Sequence, residues 1–134
     1  MTSKPYRIPK VRSPVAREGG VPRWGSQIQR GELYRVKLSR GDSKRSRIVV
    51  VVSRDAHLES RCSTAVCAPV HASRGALASE VEIGPTEGLK RQSAILCDVL
   101  TSVPRTQLTD RVGKLGPAKL TALRAALRIA LDVD

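Results

Sequence analysis

The chain has 134 residues, carries 24 Lys and Arg against 12 Asp and Glu for a formal net charge of +12, and is only 2% aromatic. That length allows one domain around one core, and the charge selects a polyanionic partner, nucleic acid ahead of an anionic membrane surface or an acidic protein. No apolar run reaches the ~18 residues of a membrane span and the N-terminus lacks the apolar core of a signal peptide, so the expectation is a soluble, cytoplasmic protein.

Residues 1–29 hold four of the eight prolines, six basic residues and one acid, with no periodic apolar pattern. They read as an extended or disordered basic arm, either a solubilising tail or an extra grip on phosphates. Trp24 lies where the arm meets a domain spanning residues 30–134.

From Gln29 the pattern changes. Leu33, Tyr34, Val36 and Leu38 alternate with Arg35 and Lys37, the period of a half-buried strand. The loop SRGDSKRS has turn chemistry and three cations, Arg40, Lys44 and Arg45. RIVVVVS follows, a β-branched run too short for an ordinary helix and suited to a strand buried on both faces. STAVCAPVHAS reads as a third strand ending near Pro69 and His71, ASEVEI as a fourth, and QSAILCDVLTSV as a fifth, interior strand.

After Pro104 the period switches. PRTQLTDRV suits about two helical turns, and Gly116-Pro117 opens a helix with proline at its favoured first position. Leu120, Leu123, Leu127, Ala130 and Leu131 share one face of that helix, which packs on the sheet or on a second subunit. The fold class is therefore mainly β (α+β): a small, strongly curved antiparallel barrel closed by a C-terminal amphipathic helix.

Cys62, Cys67 and Cys97 are odd in number and show no C-x-x-C or Cys/His zinc spacing, so they read as buried reduced thiols with no metal or cofactor. His57, in RDAHLES, reads as an exposed loop residue.

The ordered set RGELYRVKL, RIVVVVSRD, TAVCAPV, SEVEI, GLKRQSAILCD and LTDRVGKL, followed by the amphipathic helix, resembles the MazF/PemK family of toxin endoribonucleases from Arg30 to Val133. The resemblance implies an SH3-like barrel that forms a homodimer and cuts single-stranded RNA at short sequences without a metal. It also implies neutralisation by an antitoxin, which this basic chain leads us to expect to be acidic. Metal-free RNA cleavage proceeds by attack of the 2′-OH on its own phosphate, and it needs a base, an acid for the leaving 5′-oxygen and a cation for the charged transition state. DNA lacks that nucleophile.

The family's catalytic arginine opens its second strand, and Arg47 occupies the matching position, with Ile48 where an Arg-Pro pair is usual. Guanidinium stays ionised and holds two phosphate oxygens in a fixed fork. Without the family pattern, Arg47 reads as a strand-end cation in water. His71 stands at the end of the third strand, where the family commonly has a hydroxyl residue. It reads either as a proton-transfer group, a role suited to imidazole, or as a surface residue in an altered site. Ser73 would share its face if the strand continued, and could hydrogen-bond phosphate.

Asp98 matches an acidic proton-transfer position of PemK-like members, and its alternative is a strand-end cap; the arginine that such members carry two residues earlier is Leu96 here. Arg40, Lys44 and Arg45 fall in the loop that covers RNA in the family, and are either phosphate contacts or a solvated charged turn. Two other functions stay open. CcdB-like toxins share the fold and poison gyrase, but commonly end in Trp-Gly-Ile, whereas this chain ends Leu131-Asp132-Val133-Asp134. An RNA-binding barrel without catalysis is the other, although the low aromatic count disfavours a stacking platform.

Overall fold

The computed structural model describes residues 28–37, 46–73 and 75–134. Residues 1–27 of the basic arm, Trp24 among them, and Arg40, Lys44 and Arg45 lie outside the described residues.

Seven strands and two helices follow in the order β1 (Glu32–Lys37), β2 (Ser46–Val51), α1 (Asp55–Leu58), β3 (Thr64–His71), β4 (Glu80–Ile83), β5 (Ser93–Leu96), β6 (Thr101–Pro104), β7 (Asp110–Lys114) and α2 (Pro117–Leu131). The strands run in the order β4-β5-β3-β2-β1-β7, with β6 also on β3, and all pairs are antiparallel. The result is the curled antiparallel sheet with a C-terminal helix expected from the sequence.

The curl is made on β3. Its first half, Thr64 to Cys67, pairs with β6, and its last two residues, Val70 and His71, pair with β5. One long strand thus passes between two sheet surfaces, and QSAILCDVLTSV, expected as a single fifth strand, is two strands, β5 and β6. A 3-10 turn at Cys97–Val99 breaks the apolar run. Burial continuity hides such a break in the sequence, because residues on both sides of it are apolar.

The valine run of β2 is buried on both faces. Val50 and Val52 join Leu33, Ala68, Ile83 and Ile95 in the cluster under α2, while Val49 and Val51 join Tyr34, Val36, Leu58 and Val103 on the other side. At about 1.5–3 kcal/mol for each buried valine-sized side chain, this strand is the spine of the fold. Leu123 and Ala126 of α2 are buried in the first cluster, and Lys119 Nζ donates to the Glu82 carbonyl, so the helix packs on the sheet. Leu131, expected on the packed face, is 54% exposed together with Ile129 and Val133.

The helical turns expected after Pro104 are also corrected. Arg105–Gln107 form one 3-10 turn, and β7 then pairs with β1 and closes the sheet. Strand pairing overrides local helical preference there. The β1–β7 register slips between Leu33 and Tyr34, which face Gly113 and Arg111, so Val112 is left without an opposite residue. This bulge lies against the loop that follows β4.

Candidate functional site

β2 and β3 pair through Val49↔Pro69, Val50↔Ala68 and Val51↔Cys67. Proline has no N–H to donate, so the ladder ends at Pro69 and the strands part beyond it. Continued by two residues, the same register sets Arg47 opposite His71. The gap between the parted strands opens into a cleft of about 420 Å³.

Arg47 and His71 both line this cleft, with Ser46 and Ile48 from β2, Arg35 from β1, Lys90 and Arg91 from the loop before β5, and Ser93 at its start. Neighbours such as Arg47 and Ile48 alternate in facing, so the cleft sits at the open ends of the strands and not over one face. Among the described lining residues none is Asp or Glu. Arg35 reaches out to Asp110 at 3.3 Å, whereas the side chains of Arg47, His71, Lys90 and Arg91 have no ion-pair partner among the described residues. A cleft lined by cations and one imidazole, with no carboxylate among its described lining residues, suits an anion, and the imidazole adds proton transfer.

Residues 29–131 match the family described as PemK-like, MazF-like toxin of type II toxin-antitoxin system. The chain belongs to this family. A probable endoribonuclease MazF5 of Mycobacterium tuberculosis is 38% identical over 87 residues, 64% of this chain and 79% of that protein. A probable endoribonuclease MazF of Mycolicibacterium smegmatis is 27% identical over 108 residues, 79% of this chain and 98% of that one. The solved Mycobacterium tuberculosis toxin MazF-mt6 superposes with a TM-score of 0.66 at 24% identity, covering 77% of this chain and 98% of that one. A mycobacterial endoribonuclease solved in complex with its cognate antitoxin gives 0.68 at 23% identity, covering 80% and 97%.

Elsewhere in the toxin, the remaining candidates fall apart from the cleft. Asp98 is exposed in the 3-10 turn after β5, not inside a strand, and accepts a hydrogen bond from the buried Ser79 hydroxyl. It does not line the cleft with Arg47 and His71. β3 ends at His71, so the continued strand expected through Ser73 does not form. Instead the Ser73 hydroxyl donates to Glu80 Oε1 at 2.7 Å and accepts from the backbone N–H groups of Gly75 and Ala76 at 3.2 and 2.8 Å, holding a turn.

Two minor expectations also change. His57 is part-buried on α1, with Nε2 at 3.0 Å from the Thr64 carbonyl, and is not an exposed loop residue. Cys62 is exposed, while Cys67 and Cys97 are buried as expected. Burial pushes the Cys67 thiol up to about 12, and burial with the Asp98 charge beside it pushes Cys97 up to about 11. Both are protonated and unreactive at neutral pH.

Sequence reading leaves Arg35, Lys90 and Arg91 unassigned. For Lys90 and Arg91 the signal is an adjacent cation pair in GLKRQS, two residues after Gly88. The closing of the sheet brings that loop to the mouth of β2, and such long-range placement has no local signature.

Proposed function

We propose that this toxin is a metal-independent, sequence-specific endoribonuclease acting on single-stranded RNA in the cytoplasm, as a homodimer held in check by a cognate antitoxin. The observation that supports it is that Arg47 and His71 line one solvent-open cleft with no carboxylate among its described lining residues. The names of the two sequence relatives, and the antitoxin-bound structure with the same fold, point the same way.

The chemistry follows from the groups present. Neutral His71 takes the proton of the 2′-OH while O2′ forms its bond to phosphorus and the bond from phosphorus to O5′ breaks. Arg47 holds the non-bridging oxygens as their charge grows. A proton from solvent reaches O5′, leaving a 2′,3′-cyclic phosphate on one fragment and a free 5′-hydroxyl on the other. Arg47 lies at the rooted end of a strand whose next residues are buried, which limits its freedom and suits it to transition-state stabilisation.

Incubating the protein with a long mixed-sequence single-stranded RNA in EDTA, with Arg47→Ala alongside, tests the reading. Wild type gives discrete fragments with cyclic phosphate ends and the variant leaves the RNA whole. RNA left intact by both would remove the nuclease reading.

A further inference from the structure

We propose that Lys90 and Arg91 form a second phosphate subsite, which holds a phosphodiester next to the one cut at Arg47 and His71. This rests on the ribonuclease reading of the cleft and names which part of the substrate the site grips beyond the scissile bond.

A single phosphodiester brings one negative charge, and with Arg35 occupied by Asp110 the cleft still presents Arg47, Lys90 and Arg91. That leaves two cations beyond the ground-state charge of the scissile phosphate, and at least one beyond the doubly charged transition state. No described lining carboxylate offsets them. A nucleic acid strand supplies the missing anion, because every neighbouring nucleotide carries another phosphate.

The second observation is how firmly the loop is held. Gly88 sits at φ +102°, and a Cβ there would meet the Val112 carbonyl oxygen at 2.5 Å. From the other side, a Cβ on Gly113 would strike the Glu87 carbonyl oxygen. The two backbones thus cross at the β7 bulge with no room for a side chain between them. Glu87 is 6% exposed, and its Oε1 accepts the Gly84 N–H at 2.7 Å, closing the turn. Leu89 is buried as a plug in the main core cluster. Lys90 and Arg91 come directly after these anchors, exposed and lining the cleft. A fixed backbone beneath two solvent-facing cations is what a positioning subsite requires, whereas a merely solubilising pair needs no such anchoring.

The test uses a short RNA spanning one cut site mapped on the long RNA, with a neutral methylphosphonate replacing each flanking linkage in turn. Lys90→Ala/Arg91→Ala raises KM about tenfold with kcat within about threefold, and reduces the magnitude of the slope of log(kcat/KM) against log salt by about 0.7, the value for one phosphate of a single strand. One methylphosphonate position costs wild type a similar factor and costs the double variant nothing further. Both replaced side chains are exposed, and an unchanged melting curve confirms the fold. Equal penalties for the variant on every substrate, or a fall in kcat at constant KM, would overturn the subsite. Wild type that cuts RNA normally while the double variant matches it removes the subsite alone, and wild type that cuts no RNA removes the ribonuclease reading with it.

Discussion

The two ends of the β1–β2 pair handle charge in opposite ways. At one end Glu32 is 2% exposed, and its carboxylate accepts from Tyr34 Oη at 2.7 Å and the Gln29 N–H at 2.9 Å and pairs with Arg111 Nε at 3.1 Å. At the other end Arg47 opens into the cleft with no carboxylate partner among the described residues. One end satisfies its charge internally and fastens β7 to β1. The other leaves its charge for a ligand, and this difference separates a structural ion pair from a site more surely than residue type does.

Breaking each end should therefore give opposite phenotypes. The largest effect expected is on chemistry: Arg47→Ala lowers kcat/KM for RNA by about 10²–10³ or more, the scale for loss of one aimed transition-state donor. Its melting temperature stays close to wild type, because the strand beyond it holds the fold. His71→Ala in parallel removes the pH-dependent limb of the rate that an imidazole base produces. A pH profile identical to that of wild type would leave His71 without a proton-transfer role.

Glu32→Ala should do the reverse. It removes the carboxylate that accepts from the buried Tyr34 hydroxyl and that pairs with Arg111, whose side chain is 39% exposed and can turn to water. The expected loss is about 2–3 kcal/mol, below the figure for a fully buried pair. For a domain of this size that is a fall in melting temperature of roughly 10 °C. Cleavage per folded molecule changes little. Should Glu32→Ala melt like wild type, the claim that this end is a structural fastening fails.

The Arg47 end of this contrast was legible in the sequence and the Glu32 end was not, and the reasons differ from residue to residue. The run Ile48 to Val52 announces a strand buried on both faces, and Pro117 announces the helix, because these signals are local. The placing of Arg47 and His71 at strand ends came from family order, and both line the cleft that opens where the β2–β3 ladder stops. Lys90 and Arg91 were not legible. Their position depends on the crossing of Gly88 with Gly113 and on the Val112 bulge, contacts between residues far apart in the chain. The expectation that Asp98 lies inside a strand failed for a related reason, since the apolar run around it is two strands joined by a 3-10 turn.

The buried thiols give a smaller effect, tied to the core between the two ends. A thiol in an unfolded chain has a pKa of about 8.5, and in the fold Cys97 is pushed up to about 11 and Cys67 to about 12. The folded values are raised, so above about pH 8.5 the unfolded chain sheds protons that the fold retains. Stability from these groups is complete below that pH and declines as pH rises toward 11, by at most about 1.4 kcal/mol per pH unit for each thiol. Denaturant melts from pH 8.5 to 10.5 should fall more steeply for wild type than for Cys97→Ala, with lysines and tyrosines common to both. Parallel slopes would show that Cys97 ionises alike in both states.

The smallest effect is expected at Asp98, and it sharpens the comparison most for its size. Its carboxylate is exposed and accepts one hydrogen bond from Ser79, whose backbone carbonyl also receives the Cys97 N–H at 3.2 Å. Asparagine keeps an oxygen that can accept the same bond, so Asp98→Asn should cost under about 1 kcal/mol. With the cleft lined by other residues, cleavage should stay within about threefold of wild type, an effect far below that of Arg47→Ala. A hundredfold loss at an unchanged melting temperature would mean that Asp98 reaches the reacting phosphate after all. Since it does not line the cleft of its own chain, that outcome would require the carboxylate to enter the cleft of a second copy, and the active unit would then be the dimer itself.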